Sequence, residues 1–170
     1  MKREILKYPD PALKKVSKPV AEITDEIREL IDDMFETMYE NGGVGLAAPQ
    51  VGVLSRVIVM DISPIVEGEE PMAMVNPEIV DREGEQESEE GCLCIPDFTA
   101  LVKRSQKVVV RGIDRENREI EVEAEGFLAK ALQHEIDHLN GILFVDRLSP
   151  VKRDVFRRKY LKKIKSGAEV

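Results

Sequence analysis

The sequence predicts an α+β fold in a single domain. Two observations predict this class: strand-like runs follow one another without regular alternation with helices, and only a few segments show the 3.6-residue periodicity of an amphipathic helix. The length of 170 residues suits one domain with a real core and is short for two.

The first elements along the chain are helical. Asp10 and Pro11 can open a short helical turn, with Asp as the cap and Pro at the first helical position. A longer helix is predicted from about Thr24 to Tyr39, because Thr24 can cap it and an apolar stripe follows at helical spacing. The stripe consists of Ile27, Leu30, Ile31, Met34, Phe35 and Met38. Asn41 and the two glycines after it end this helix.

Strands are predicted in the middle of the chain. The runs RVIVMD (56–61) and MAMVNP (72–77) lie on either side of an acidic loop. The runs KVVVRGI (107–113) and REIEVEA (118–124) flank the segment DREN, which predicts a hairpin turn.

Helical periodicity returns in the last third of the sequence. It runs from Gly126 to about Leu139, and Gly141 stands just past the end as a C-cap. Ser149-Pro150 then opens a final basic helix that reaches about Lys165.

Composition and charge narrow the class of protein. The 42% apolar and 34% charged residues are those of an ordinary globular chain, and no apolar run approaches the roughly 20 residues that span a bilayer. The N-terminus lacks the apolar stretch of a secretory signal, so we expect a cytoplasmic protein that does not enter a membrane. The net charge is −8 although residues 151–170 are strongly basic, so the main body is acidic and DNA binding is not expected.

The two histidines, His134 and His138, lie in the segment QHEIDH with Glu135 between them. On a helix, residues four apart share one face, so both imidazoles can reach one metal ion. Glu135 lies roughly 100° around the helix from His134, where a carboxylate can take a proton from an activated water. Two partly buried helix histidines without a metal are the alternative.

A catalytic metal usually has three protein ligands, so a third must be found. The sequence offers a downstream carboxylate, Asp137 or a cysteine, and Asp137 should point away from the metal face. Cys92 and Cys94 lie in EGCLCIP, which can be extended, so that both sulfurs could face a metal. One thiolate would leave a position open for catalysis, whereas two would close a structural site. A disulfide between these near neighbours would be strained.

The segment GGVGLAAPQVG (42–52) is the third unusual feature. Its glycines allow a tight bend or a close approach to a ligand, and Gln50 supplies an amide that can donate to a carbonyl oxygen. A helix stop followed by a turn is the plainer interpretation.

Three segments together resemble the signature motifs of the peptide deformylase family. GVGLAAPQ (43–50), EGCLC (90–94) and QHEIDHLNG (133–141) occur in the family's order and at fitting separations. The second motif usually ends in serine, and this chain has Cys94 there. The resemblance implies antiparallel or mixed β-sheets packed around a central metal-binding helix, with N-terminal and C-terminal helices. Residues 1–148 would form the catalytic part, and 149–170 a basic helix and tail of the same domain.

The resemblance also implies the metal chemistry. Cys92, His134 and His138 would be the ligands, and Cys94 would not. Glu135 would be the general acid/base while a metal-bound water attacks the formyl carbon. Fe²⁺ would be the physiological metal, replaceable by Ni²⁺, Co²⁺ or Zn²⁺.

The substrates implied are N-formylmethionyl nascent peptides, which would release formate. Gln50 and the main-chain N–H of Leu93 would stabilise the oxyanion, and Gly45 would contact the substrate backbone. Partners of the histidines are not fixed by the motifs, although Glu90 and Arg104 are candidates.

A preference for methionine requires an apolar pocket beside the metal. Phe127 and Ala131 share the helix face of the histidines, and with Val44 they are candidate walls, plain core packing being the alternative. Lys130 lies near the same face, where its stem can line the pocket with the ammonium in water.

The basic C-terminal helix supports two interpretations. It can pack on the body with a solvated charged face, or it can dock on ribosomal RNA through the phosphates. Its apolar residues at near-helical spacing are Val151, Val155, Phe156, Tyr160 and Ile164.

Two other classes of function stay open at this point. An HExxH peptidase would cleave or trim peptides and would give no role to Cys92 or Gln50. A closed structural metal module, with both cysteines and both histidines as ligands, would act as a binding adaptor and would have no use for Glu135.

Overall fold

The computed structural model describes residues 1–165, with side chains to residue 162, and has the α+β architecture that the sequence predicts. Three α-helices lie in this part of the chain: α1 (Asp25–Glu40), α2 (Gly126–Leu139) and α3 (Pro150–Lys165). Its strands are β1 (Gly45–Ala47), β2 (Val57–Met60), β3 (Met72–Glu83), β4 (Gln86–Cys92), β5 (Ile95–Arg104), β6 (Lys107–Ile113) and β7 (Glu119–Glu125).

The strands form two antiparallel sheets. The larger sheet has the order β1-β2-β3-β6-β7, and β4 and β5 pair separately as a long hairpin. An isolated parallel bridge joins Lys18 to Ser55. The expectation of antiparallel or mixed sheets is therefore confirmed.

The larger sheet lies between two helices. Val57 and Val59 of β2 belong to the same buried cluster as the apolar stripe of α1, whereas Ile58 and Met60 belong to the cluster of α2. Successive side chains of a strand point to opposite faces, so β2 is buried on both. Helix α2 is covered by the sheet, and ten of its residues are buried. The central helix implied by the resemblance is therefore present.

Capping residues in the sequence correctly predicted where α1 begins and where α2 ends. The Thr24 hydroxyl accepts from the Ile27 N–H at 3.3 Å, as expected of an N-cap. Helix α2 has its predicted bounds, and Gly141 follows it with φ of 72°, the left-handed conformation that favours glycine.

The predicted strand 72–77 is too short, and the β4–β5 hairpin was not predicted as strands. Strand β3 continues to Glu83, with register shifts after Val75 and Ile79 that break its alternating pattern. Strand β4 reads QESEEGC, a composition poor in strand formers. Tertiary pairing, not local preference, makes these residues extended. The glycine-rich segment likewise contains β1 and a short 3₁₀ turn (Ala48–Val51), not a turn alone.

The two cysteines lie at the end of the hairpin, where Cys92 is the last residue of β4 and Cys94 is already in the turn. Cys92 pairs with Ile95, so Leu93 and Cys94 form the two-residue turn between β4 and β5. The extended geometry considered for this segment is therefore wrong, because the chain reverses direction between the two thiols.

Helix α3 packs through a narrower stripe than its sequence suggests. Phe156 and Tyr160 are buried and their rings contact Tyr8. Val151 and Val155 are 74% and 42% exposed, because they lie about 100° or more around the helix from this face. Ile164 and the tail 166–170 lie outside the described side chains. Among the helices of residues 1–165, none has the length and apolar character needed to cross a bilayer.

Candidate metal centre

Three candidate ligands from two elements converge on one point. The Nε2 atoms of His134 and His138, one turn apart on α2, are 3.3 Å apart. The Sγ atom of Cys92, at the end of β4, is 3.3 Å from Nε2 of His138. One ligand atom from each of the three residues lies within 4.8 Å of the other two.

These separations between ligand atoms fit tetrahedral coordination of a single metal ion. Ligand atoms bound at 2.0–2.3 Å to such an ion lie about 3.3–3.8 Å from one another. A hydrogen bond with Cys94 and burial raise the pKa of Cys92 to about 11. A bound cation is therefore needed to hold this thiol as a thiolate near neutral pH. Two imidazoles and one thiolate suit a borderline divalent metal.

Cys92 has two further neighbours. The Sγ atom of the buried Cys94 lies 3.2 Å from its own Sγ. The Gln50 side-chain amide donates to the same sulfur at 3.4 Å, and its Oε1 accepts from the Ala47 N–H at 2.9 Å. Gln50 is thereby fixed behind the cysteine.

The orientation of His134 is set by Glu90. Burial alone would raise the pKa of Glu90, but hydrogen bonds and charge from His134 and Arg104 lower it to about 2. Glu90 is therefore a carboxylate, and His134 Nδ1, at 2.9 Å, must be the donor. This leaves the Nε2 of His134 turned towards Cys92 and His138, the usual arrangement behind a metal-binding histidine.

A buried ionic chain connects the hairpin to α2. Arg104 donates two hydrogen bonds of 2.9 Å to Glu90 and a third to Asp137. Arg147 also binds Asp137 through two contacts. Asp137 therefore points away from the cluster, as its helix position predicts, and forms ion pairs with the two arginines. The contribution of Arg147 had no signal in the sequence, because Arg147 comes from a short 3₁₀ turn (Phe144–Arg147) after α2.

Glu135 faces the same centre from the side. It is buried, and its Oε1 has no hydrogen-bond partner among the described residues. Burial raises the pKa of Glu135 to about 7. Such a group can hold or release a proton near neutral pH, as a general acid/base must. The Nδ1 of His138 is also buried without a partner in the described part of the chain.

A cavity of about 400 Å³ opens beside this cluster, between α2, β4 and the glycine-rich segment. Its walls include Cys92, His134 and all the residues predicted to bind substrate, whereas Gln50 and His138 do not line it. Its residues with a predicted substrate or catalytic role are Val44, Gly45, Leu93, Phe127, Ala131 and Glu135. Eight of the ten predicted site residues therefore line this cavity, and they come from three segments that are distant in sequence and meet only in the fold.

Two buried histidines of an HExxH helix and a partly buried cysteine, beside a buried carboxylate and an open cavity, are the arrangement of a metal-dependent hydrolase. Comparison with known proteins defines the family. A family model for polypeptide deformylases matches residues 2–154. A peptide deformylase of Thermodesulfovibrio yellowstonii is 56% identical over 92% of this chain and 95% of its own length. One from Alkalilimnicola ehrlichii is 53% identical over 96% and 92%.

The fold agrees with this relationship. The crystal structure of a peptide deformylase from Legionella pneumophila has a TM-score of 0.90 and 49% identity, covering 100% of this chain and 99% of that one. The chain belongs to the polypeptide deformylase family and is an enzyme that removes N-formyl groups from nascent peptides. The adaptor and peptidase alternatives are set aside by this membership.

Proposed function

We propose that this enzyme hydrolyses the N-formyl group of formylmethionyl nascent peptides at an ion held by Cys92, His134 and His138. The observation that carries the proposal is the convergence of these three side chains beside Glu135. Fe²⁺ is the proposed physiological ion, with Ni²⁺, Co²⁺ or Zn²⁺ as substitutes, because a mixed thiolate and imidazole set accepts all four. When bound, the ion supplies a Lewis acid that activates water for attack on the formyl carbon.

Glu135 moves the proton. Its carboxylate takes a proton from the attacking water and returns it to the leaving amine, which frees the new N-terminus and formate. The pKa of about 7 supports both directions of transfer.

Two donors stabilise the negative charge on the formyl oxygen. Gln50 has one amide hydrogen bond on the sulfur of Cys92 and a second N–H still available. The main-chain N–H of Leu93 is at the hairpin turn, next to the ligand cysteine. Each such donor contributes about 3–4 kcal/mol to an oxyanion site.

The apolar half of the cavity takes the methionine side chain. Phe127 and Ala131 form one wall on α2, and Val44 forms the other. Gly45, the first residue of β1, contacts the substrate backbone, and a side chain at this position would collide with Glu135.

The proposal is tested with protein purified anaerobically and loaded with Fe²⁺ or Ni²⁺. Formate release from a formyl-Met-Ala-Ser peptide is measured beside metal content. Glu135→Gln should keep the metal and lose 10²–10⁴-fold in kcat. Glu89→Gln, at an exposed carboxylate of the same cavity, is the matched control. Loaded wild-type protein that releases no formate would refute the proposal.

The two cysteines should differ in the same assay. Cys92→Ser should lose both metal and turnover, whereas Cys94→Ser should keep most of each, because Cys94 is not a ligand in this scheme. Equal loss of metal in the two variants would mean that both sulfurs bind the ion.

We further propose that the enzyme acts in the cytoplasm and docks on the ribosome through α3. The buried Phe156 and Tyr160 leave Arg157, Arg158 and Lys159 exposed on the outer face. Replacing these three by Gln should reduce co-sedimentation with ribosomes at low salt and keep peptide deformylation. Unchanged co-sedimentation would exclude α3 as the docking surface.

A further inference from the structure

Lys130 is a cation in the wall of the site cavity. It is half-buried on α2, and its Nζ lies 4.5 Å from the centroid of the Phe127 ring. The same atom donates to the main-chain oxygen of Glu89 at 3.4 Å. These contacts hold the ammonium between α2 and β4, in the wall of the cavity.

The charge of Lys130 has no counter-ion in the described part of the chain. No carboxylate of residues 1–162 lies within 4.0 Å of its Nζ. The neighbouring carboxylates have other partners, since Glu90 binds Arg104 and Glu89 accepts from the Thr99 hydroxyl. The ammonium is thus positioned by an aromatic face and a carbonyl, and its charge stays available to a ligand.

Lys130 lies within reach of a bound peptide. It precedes His134 by four residues, about 6 Å along the helix axis. An extended peptide advances about 3.3 Å per residue. A peptide whose formyl group lies beside Glu135 and whose chain runs along α2 towards Lys130 would bring its second and third residues within a lysine side chain's length of this position.

We propose that Lys130 makes the enzyme select formylmethionyl peptides with an acidic residue at the second or third position. The inference rests on the proposed function and adds to it a preference for the charge of the substrate. A substrate carboxylate at either position pairs with the ammonium of Lys130. A substrate lysine or arginine there is repelled by the same ammonium. Each charge should change kcat/KM by about two- to fivefold, which is the range of partly exposed ion pairs.

The test compares formyl-Met-Ala-Ser with peptides that carry Asp or Lys at the second or third residue, using Ni²⁺-loaded enzyme. Wild type should prefer Asp over Lys by about fivefold or more at low ionic strength, and less at high. Lys130→Arg should keep the preference, Lys130→Gln should abolish it and Lys130→Glu should reverse it. Lys103→Gln, at an exposed lysine outside this cavity, is the control and should keep the wild-type ratio.

The outcomes separate the two proposals. An Asp-to-Lys ratio near one in wild type, or the same ratio in Lys130→Gln as in wild type, would overturn the role of Lys130 alone. Failure of all the formyl peptides to release formate would overturn the proposed function itself.

Discussion

Gly45 and Glu135 illustrate how single residues constrain this site. A Cβ atom built on Gly45 would collide with the carboxylate of Glu135, so this position tolerates no side chain while Glu135 stays in place. Gly45→Ala should therefore displace the carboxylate and lower kcat/KM by roughly 100-fold, the usual cost of an ångström of misplacement. Formate release and thermal unfolding of the metal-loaded variant measure the effect.

Gly43→Ala is the comparison for this prediction. A Cβ there would meet the flexible end of the Leu93 side chain at 2.7 Å, and that end can move aside. This variant should keep more activity than Gly45→Ala. Equal losses in both would show that general crowding of the segment, and not contact with Glu135, limits the reaction.

For single residues, how well the site could be predicted depended on how far apart in sequence the interacting residues are. His134, Glu135 and His138 could be placed together because helix geometry relates residues three and four apart. The choice of Cys92 over Cys94 could not come from strand periodicity, since Cys94 lies in the turn after the strand, and it depended on family resemblance. The pairing of Asp137 with Arg147 had no local pattern to reveal it.

At the scale of elements, Arg104 joins the β4–β5 hairpin to α2. Its side chain is 3% exposed and binds Glu90 on one element and Asp137 on the other. Arg104→Met should lower the free energy of unfolding by about 3–5 kcal/mol, because two carboxylates would lose their buried partner. Urea denaturation measures the change.

Arg111→Met provides the matched control for this ionic chain. Arg111 binds Glu121 at 2.7 Å, but both side chains are largely exposed. Removing that pair should change stability by no more than about 1 kcal/mol. Similar losses for the two variants would contradict the importance of the buried connection.

Elements with strong local signals were predicted almost residue by residue. Thr24 caps α1, and the run 107–113 is β6 as predicted. The hairpin was missed because its residues alternate weakly between exposed and half-buried and are rich in glutamate. Their extended form depends on pairing with β5, which no window of local sequence contains.

At the scale of the whole molecule, α3 is joined to the body by aromatic side chains. Phe156 is 2% exposed and contacts Tyr8 and Phe98, which come from distant parts of the chain. Phe156→Ala should cost about 3–5 kcal/mol. For a protein of this length, the loss corresponds to a fall in Tm of about 6–20 °C, measured by calorimetry.

Val155→Ala tests whether this loss is specific to the packed face. Val155 is the preceding residue and is 42% exposed, so its truncation should change stability by only about 0.5 kcal/mol. Comparable destabilisation would mean that helix propensity, not aromatic packing, holds α3. A small effect of both would indicate that residues 149–170 form a separate appendage.

The position of Cys92 has a consequence for folding as well as for chemistry. Cys92 and His138 are 46 residues apart in sequence, yet a single ion would be bound by both. Such an ion is a cross-link, and closing a loop of this length reduces the entropy of the unfolded chain by the equivalent of about 4 kcal/mol. The ion would thus connect the β4–β5 hairpin to α2. Removing it should lower the free energy of unfolding of the whole enzyme as well as abolish its activity.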